Sequence, residues 1–251
     1  MNWFDGNRVV ITGAAGGVGS TLVRHFGELN ARIVACDMPG AVLSHSAIEE
    51  RHLFDLRDSD AVTKASVAIL RGGTPSVVVL NAGWTRQETL ATTTSDGILD
   101  EINANFTGAA RLTHLLLPAM RAATGNRAFV FVSSVNALGH FGNPAYSAAK
   151  AATLAWMRAI AVEEGRHGIR ANAVIPASIR TGAWEHRLQA DPEIFEKLRA
   201  LYPLGRIVTP DEVAHAVVFL ASPWASGITG TSLMMDAGIS AGNLPFRDAI
   251  T

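Results

Sequence analysis

The chain has 251 residues, and its 21 basic and 22 acidic side chains leave a formal net charge of −1, which argues against a nucleic-acid-binding protein. Apolar residues make up 48%, enough to bury a sizeable core, but charged residues make up only 17%. Typical soluble domains carry about 25% charged residues. We therefore expect subunit contacts to cover part of the surface.

The cysteine, histidine and hydropathy patterns further narrow the class of protein to which the chain can belong. The single cysteine, Cys36, excludes an intrachain disulfide and suits a reducing cytoplasm, so we expect a cytoplasmic protein. The eight histidines show no metal-binding spacing, and we expect no metal site. No apolar run reaches the ~18 residues of a membrane helix, which predicts no membrane span. The stretch 9–18 could pass for a signal-peptide core, but Asp5 precedes it and a glycine motif occupies most of it.

Short apolar runs alternate with longer helical patterns along the whole chain. The sequence predicts strands at 8–12, 32–36, 52–55, 76–80, 128–133, 169–175 and 233–236. It predicts helices from the glycine motif to about residue 29, from about residue 58, and over 95–121, 145–164 and 209–221. Pro118 should bend the last turn of the third helix, and Thr209 and Glu212 have the spacing of a capping box. Continuously apolar strands separated by helices indicate a single doubly wound, parallel-sheet (Rossmann) α/β domain over residues 1–251.

A glycine-rich turn, TGAAGGVG, joins the first predicted strand to the first helix. Glycine at such a junction lets the backbone approach a dinucleotide pyrophosphate, whose negative charge is attracted by the helix N-terminus. The spacing is TGxxxGxG rather than the common GxGxxG. The candidate cofactor-binding residues of this turn are Gly13, Gly16, Gly17, Val18 and Gly19.

A second group of candidate residues lies on the later helices and at a strand end. Tyr146 and Lys150 are four residues apart, on one face of a predicted helix. Ser134 lies twelve residues before Tyr146, at the end of the fifth predicted strand, where open α/β sheets bind ligands; Ser133 is an alternative. Asn105 lies within the long third helix.

With these motifs in this order, residues from about 5 to 240 resemble the short-chain dehydrogenase/reductase family. The resemblance implies that four residues are catalytic, namely Asn105, Ser134, Tyr146 and Lys150. It implies further cofactor contacts at Asp55, Leu56, Asn81, Ala82, Gly83, Tyr146, Lys150, Pro176, Ile179 and Thr181. The sequence departs from the family pattern at Ala177 and Ala237, where glycine is usual.

The resemblance also assigns a role to each catalytic residue. A free tyrosine has a pKa near ~10, and a nearby lysine ammonium together with the positive nicotinamide ring should lower that pKa. Tyr146 would then exchange a proton with the substrate oxygen, which Ser134 would hold by a hydrogen bond. Lys150 would also bind the cofactor ribose, and Asn105 would hold a water that relays protons to solvent.

Asp37, which follows the second predicted strand, determines the expected cofactor. A carboxylate there would accept hydrogen bonds from the adenosine ribose hydroxyls and repel a 2′-phosphate. The glycine-rich turn carries no Arg or Lys that could pair with that phosphate. We therefore expect NAD rather than NADP. The alternative is that Asp37 is only a solvated acid at a strand end.

The favoured function is an NAD-dependent oxidoreductase that transfers a hydride between nicotinamide and a secondary alcohol or ketone of a small polar substrate, such as a polyol, sugar or sugar acid. One alternative is a 3-oxoacyl-(carrier protein or CoA) reductase, because residues 81–86 (NAGWTR) are similar to the β-ketoacyl carrier-protein reductases, which usually use NADP. Another is a non-catalytic dinucleotide sensor, although all four catalytic positions are filled. A sugar-nucleotide epimerase would need a further domain, for which 251 residues leave no room.

Aromatic, amide and basic side chains in the expected pocket loops suit a polyhydroxylated or acidic small molecule. These candidate substrate residues are Trp84, Asn136, His140, Trp184 and Arg187. The alternative for the two tryptophans is packing in the protein interior.

A homotetramer is the expected assembly. The family resemblance places subunit contacts on the helices around residues 103–120 and 145–164. These helices carry more apolar side chains than we expect one sheet face to cover, namely Phe106, Leu112, Leu116, Leu154, Trp156, Met157 and Ile160.

Overall fold

The apolar runs of the sequence pair into one parallel sheet in a computed structural model, which describes residues 3–182, 188–189 and 191–251. The strands are β1 (Arg8–Thr12), β2 (Arg32–Asp37), β3 (Ile48–Leu53), β4 (Val77–Leu80), β5 (Arg127–Val132), β6 (Ile169–Pro176) and β7 (Ser232–Met235). Their order across the sheet is β3-β2-β1-β4-β5-β6-β7. The chain reverses its direction of strand addition between β1 and β4, and the carboxyl ends of strands at such a switch point are where doubly wound sheets bind ligands.

Helices cover both faces of this sheet in the described part of the chain. They are α1 (Gly17–Glu28), α2 (Ser59–Arg71), α3 (Ser95–Ile102), α4 (Gly108–Ala122), α5 (Pro144–Glu164), α6 (Ile194–Arg199), α7 (Pro210–Ala221) and α8 (Leu244–Ile250). Among these described helices, none has the length and apolar character required to cross a membrane. The parallel sheet with helices on both faces confirms the predicted Rossmann fold.

The alternation of side chains along β1 separates the core into two layers. Val9 and Ile11 are fully buried in a cluster with side chains of α1 and α7 on one face of the sheet. Val10, between them, is fully buried in a second cluster with side chains of α2, α4 and α5 on the other face. Because successive strand residues point to opposite faces, the three central residues of this strand are all apolar, as the sequence indicates.

The third strand was predicted at 52–55, which is wrong: β3 spans Ile48–Leu53. It lies at the edge of the sheet, where it pairs only with β2, and its buried and more exposed residues alternate. An edge strand with one solvated face carries polar residues, so it shows no continuous apolar run.

The third helix was predicted as one element over 95–121, and the structure divides it. Between α3 and α4 the backbone forms one turn of π-helix, Asn103–Thr107. The helix then continues through Pro118 to Ala122. A π turn inside an α-helix is rare and occurs frequently at functional sites.

The structure tests the predicted capping box and the two positions at which alanine replaces the usual glycine. The capping box is present, because Thr209 accepts a hydrogen bond from the Glu212 amide and the Glu212 carboxylate accepts one from the Thr209 amide. Ala237 has φ +51°, so it occupies the left-handed conformation that glycine would adopt there without strain. Ala177 is not one of the described non-glycine residues with positive φ.

Most of the apolar residues that were expected to form subunit contacts do not lie on the surface. Leu112, Leu116, Leu154, Met157 and Ile160 are buried in the chain's own core, in the layer formed by α2, α4 and α5. Only Phe106 and Trp156, whose ring centroids lie 6.3 Å apart, keep partial exposure. The sheet face and the neighbouring helices therefore cover more of these two helices than the sequence indicated.

Candidate active site

The glycine-rich turn lies at the switch point and is closely packed on several sides. Gly13 has φ +65°, and a Cβ there would lie 2.9 Å from the Cα of Ala82. A Cβ on Gly19 would collide with the carbonyl oxygen of Gly13, and one on Gly17 would lie 2.8 Å from the side chain of Thr181. These glycines are therefore required by close approach of the neighbouring chain segments.

The N-terminus of α1 in this turn fits the pyrophosphate of a dinucleotide. Gly16 is the N-cap residue, and no side chain caps the helix. The first turn of α1 is Gly17-Val18-Gly19-Ser20 and contains no acidic residue. Uncapped N–H groups and the positive end of the helix dipole attract an anion, so the turn has the properties that a nicotinamide cofactor needs.

Asp37 lies beside this turn, at the end of β2. One of its carboxylate oxygens accepts a hydrogen bond from the Ala15 amide, and the other accepts one from the Met38 amide, both at 2.7 Å. The carboxylate is thus fixed against the glycine-rich turn and is only partly exposed. This geometry differs from that of a freely solvated acid at a strand end.

Asn81 connects the end of β4 to the same turn. Its side-chain amide donates to the carbonyl oxygens of Thr12 and Gly13 at 3.0 and 3.1 Å. The Thr12 hydroxyl accepts hydrogen bonds from the backbone amides of Asn81 and Ala82, both at 3.0 Å. Asn81, Ala82 and Gly83 therefore fix the position of the turn relative to β4.

Asp55 and Leu56 follow β3 and form local contacts. The Asp55 carboxylate pairs with the Arg57 guanidinium at 2.7 Å, and these hydrogen bonds hold the pKa of Asp55 below its usual value. Arg57 also pairs with Asp100 at 2.9 Å. A Cβ on Gly108 would collide with the backbone of Leu56, so this segment lies directly against the start of α4.

The segment after β6 reaches the glycine-rich turn from the opposite side. Pro176 is the last residue of β6, and Ile179 forms an isolated parallel bridge with Val208. Thr181 then lies against Gly17, as its close approach to a Cβ at that position shows. Thr181 and the glycine-rich turn are therefore neighbours.

Tyr146 and Ser134 lie together at the carboxyl end of the sheet. The Ser134 hydroxyl lies close enough to the Tyr146 phenol to favour its ionised form and oppose the rise of its pKa. It also lies 3.2 Å from both the backbone amide and the side-chain oxygen of Asn136. Ser133 is buried and donates instead to the backbone carbonyl of Lys150, 3.1 Å away. The geometry favours Ser134 over Ser133 as the serine that faces a substrate.

Burial dominates the ionisation of Tyr146 and Lys150. It raises the pKa of Tyr146 to about 12, although the Ser134 hydroxyl acts in the opposite direction. It lowers the pKa of Lys150 to about 8, against the effect of the Glu101 charge. The expected lowering of the tyrosine pKa included the positive nicotinamide ring; in the chain alone, desolvation of the phenolate outweighs the effect of Ser134. The Lys150 ammonium lies 5.5 Å from the centroid of the tyrosine ring and donates to the Val132 carbonyl at 3.0 Å.

Asn105 lies in the π turn, next to Lys150. A Cβ on Gly83 would lie 3.1 Å from both the Oδ1 atom of Asn105 and the Nζ atom of Lys150. Glycine at this position therefore lets the asparagine and the lysine approach the end of β4. The predicted catalytic set is brought together by α5, the π turn and the ends of β4 and β5.

The candidate substrate residues have different surroundings. Trp84 is 49% exposed, and the Arg86 guanidinium lies 4.9 Å above its ring. Asn136 donates to the Gly142 carbonyl at 2.7 Å and to the Ser147 hydroxyl at 3.0 Å, so it also orders the loop before α5. His140 is exposed. Trp184 and Arg187 lie outside the described residues.

Sequence reasoning missed two residues that shape the site. The Thr12 hydroxyl accepts hydrogen bonds from the two backbone amides that follow β4. Its position directly before Gly13 was the signal in the sequence that could have indicated this role. Glu101 is fully buried and bonded to Asn105. Its spacing of one helical turn before Asn105 could have indicated that contact.

Comparison with known proteins agrees with this geometry. A family model described as enoyl-(acyl carrier protein) reductase matches residues 13–240. The L-fucose dehydrogenase of Bos taurus is 33% identical over 261 residues, which cover 95% of this chain and 91% of that protein. The 3-oxoacyl-(acyl-carrier-protein) reductase of Pseudomonas aeruginosa is 32% identical over 244 residues, with 94% and 98% covered.

Among solved structures, an oxidoreductase of the short-chain dehydrogenase/reductase family from Burkholderia thailandensis has a TM-score of 0.91 at 38% identity, covering 98% of this chain and 97% of its own. The family match, the relatives and the Rossmann sheet with its glycine-rich turn lead to the same assignment. The chain belongs to the short-chain dehydrogenase/reductase family of oxidoreductases.

Proposed function

We propose that the protein is an NAD-dependent dehydrogenase that acts on a CH–OH group of a small polyhydroxylated substrate, such as a polyol, sugar or sugar acid. The observation that carries this proposal is the grouping of Tyr146, Ser134 and Lys150 beside a glycine-rich turn that Asp37 contacts. A proton donor, a hydrogen-bond donor for the substrate oxygen and a cofactor cradle are the parts that reversible alcohol oxidation needs.

The cofactor would lie across the switch point, with its pyrophosphate on the N-terminus of α1 and its adenosine ribose near Asp37. When bound, the nicotinamide ring of NAD would be the acceptor of the hydride. Asn81, Ala82 and Gly83 would border it on one side, and Pro176, Ile179 and Thr181 on the other.

The chain's own residues would manage the proton and the substrate oxygen. Ser134 would donate a hydrogen bond to that oxygen and keep it beside Tyr146. The Tyr146 phenolate would take up the hydroxyl proton of the substrate during oxidation, and the resulting phenol would return a proton to the carbonyl oxygen during reduction. Because burial makes the isolated phenolate costly, a positive charge on Lys150 is needed to stabilise it during the reaction.

Two substrate classes, sugar-like molecules and 3-oxoacyl compounds, each have support. An L-fucose dehydrogenase among the relatives and the exposed Trp84 ring with Arg86 above it favour a sugar-like molecule. The second candidate is a 3-oxoacyl reductase, which the family model's description and the P. aeruginosa relative support. Asp37 favours the first candidate, because its carboxylate suits NAD.

A substrate panel with both cofactors tests the proposed function. Sugars, sugar acids, polyols and hydroxyacyl compounds are incubated with NAD or NADP, and the absorbance of reduced nicotinamide is recorded. We expect turnover with NAD and a polyhydroxylated compound. The Tyr146→Phe variant should keep less than about a tenth of that activity, equivalent to ~1.4 kcal/mol of barrier or more. Turnover of hydroxyacyl compounds alone would favour the second candidate, and an active Tyr146→Phe variant would refute the role of the tyrosine.

The two neighbouring serines allow a matched comparison. Ser134→Ala should lower kcat by about 100-fold or more, because a hydrogen bond to the reacting oxygen is lost. Ser133→Ala removes a bond to the Lys150 carbonyl and should keep most of the activity, at a stability cost of about 1 kcal/mol. Steady-state kinetics and urea unfolding of both variants provide the measurement. The reverse ranking of kcat would make Ser133 the catalytic serine.

Cofactor preference is tested at Asp37. Asp37→Ala should shift the ratio of kcat/KM for NAD to that for NADP by at least about tenfold towards NADP, since hydrogen bonds to a charged group contribute about 1.5–3 kcal/mol each. Asp60→Ala, which removes an exposed acid from α2, serves as the control. A wild type that prefers NADP, or a ratio that Asp37→Ala leaves unchanged, would contradict the role of this carboxylate.

We also propose that the protein is a homotetramer. The partly exposed Phe106–Trp156 pair and Val162, which is 82% exposed on α5, provide an apolar surface on these helices. Light scattering at micromolar concentration should give four times the 26.5 kDa chain mass. A stable monomer would contradict the assembly.

A further inference from the structure

Glu101, the seventh residue of α3, is a fully buried carboxylate whose two oxygens face two different N–H donors. One oxygen accepts from the backbone amide of Arg86 at 2.7 Å. The other accepts from the side-chain nitrogen of Asn105 at 2.9 Å. An ionised carboxylate satisfies both donors, whereas a protonated carboxyl has only one oxygen free of hydrogen.

These contacts fix which end of the Asn105 amide points in which direction. The amide nitrogen donates to Glu101 and to the Trp84 carbonyl, the latter at 2.7 Å. The amide oxygen accepts from the Trp84 backbone amide at 3.0 Å and lies on the side of Gly83 and Lys150. A flipped amide would place its NH2 group against the Trp84 N–H and its oxygen against the Glu101 carboxylate, so that flip is excluded.

The carboxylate also contributes a charge inside the site. The Glu101 charge raises the pKa of both Lys150 and Tyr146, although burial has the larger effect on each. Burial raises the pKa of Glu101 itself, while the Arg86 amide lowers it. The neighbouring charges of Glu88 and Asp100 add to the raised pKa, and the charge of Arg86 opposes them.

The guanidinium of Arg86 does not compensate this carboxylate by direct contact. It pairs with Asp100 and lies over the ring of Trp84, and only its backbone amide bonds to Glu101. The buried carboxylate is therefore compensated by direct hydrogen bonds from the Arg86 backbone amide and the Asn105 side chain.

We propose that Glu101 is a positioning residue of the active site, which fixes the amide of Asn105 and sets the charge environment of Lys150 and Tyr146. This role rests on the proposed dehydrogenase function. The carboxylate itself touches neither the tyrosine phenol nor the lysine ammonium within the described hydrogen bonds.

The composition of the chain allows a direct test that needs no substrate. Only two tyrosines and three lysines are present, so 13C-labelled tyrosine and lysine give few resonances to assign. Both pKa values are measured by NMR in wild type, in Glu101→Gln and in Glu164→Gln. Glu164 is a matched control, because it is another buried carboxylate, paired with Arg121 at the end of α5.

Removing the charge at Glu101 should move both pKa values in the same direction. Without the nearby negative charge the phenolate of Tyr146 is less disfavoured, and the ammonium of Lys150 is less favoured. Both pKa values should therefore fall by about 0.5 or more in Glu101→Gln and stay at the wild-type values in Glu164→Gln. The side-chain amide signal of Asn105 should shift only in Glu101→Gln. Unchanged titrations of Tyr146 and Lys150 in a folded Glu101→Gln would overturn the proposal.

Kinetics separate this proposal from the proposed function. With an active substrate, Glu101→Gln should lower kcat by about tenfold while KM for NAD stays within about twofold, and the alkaline limb of its pH profile should move to lower pH. A wild type without turnover would refute the dehydrogenase, while the NMR titrations would still decide the role of Glu101.

A second measurement avoids substitution if Glu101→Gln does not fold. In the wild type, the lysine 13Cε signal of Lys150 should show a small additional step where Glu101 titrates, above the ordinary glutamate range. The absence of that step would overturn the proposal.

Discussion

The parallel pairing of β1 with β4 is the constraint on which the candidate site depends. Val9, Val10 and Ile11 pair in register with Val77, Val78 and Val79, so the two strands end at the same edge of the sheet. The glycine-rich turn follows one strand and Asn81 follows the other, and the Asn81 amide joins them directly. Since β5 pairs next to β4, Ser134 also reaches this edge. The glycine-rich turn, Asn81 and Ser134 are therefore arranged around this junction.

Burial gives the site its electrostatic character. The same desolvation that disfavours a phenolate at Tyr146 also disfavours an ammonium at Lys150, so the pKa of the tyrosine rises to about 12 while that of the lysine falls to about 8. A site of this kind holds a neutral phenol next to a lysine whose charge is easily altered. The charge of Glu101 raises both pKa values, so it opposes burial at Lys150 and adds to burial at Tyr146.

The sequence predicts the sheet well because its inner strands are buried on both faces. The runs of β1, β4 and β6 are entirely apolar or buried, which makes their period and limits easy to recognise. The edge strand β3 has four consecutive polar residues at positions 49–52, so no apolar run marks it and its predicted position was displaced. The π turn at Asn103–Thr107 was not predicted, because such a turn lies within an α-helix and the helical pattern of the sequence runs through it.

The site could be predicted where a motif requires a particular residue type, as at Tyr146, Lys150 and the glycine-rich turn. It could not be predicted where tertiary contacts determine the chemistry. The raised pKa of Tyr146 follows from burial that no local pattern reveals, and the complete burial of Glu101 beside Asn105 is likewise set by the packing around both residues. The apolar residues assigned to subunit contacts show the same limit, since Leu112 and Met157 are covered by the chain itself.

The central claim is that this arrangement transfers a hydride from a CH–OH carbon to NAD. The most direct measurement incubates the protein and NAD with a polyol or sugar deuterated on its carbons and determines the mass of the reduced cofactor. The account predicts NADH that carries one deuterium on the nicotinamide ring. Unlabelled NADH, or substrate that is consumed without reduction of NAD, would contradict it.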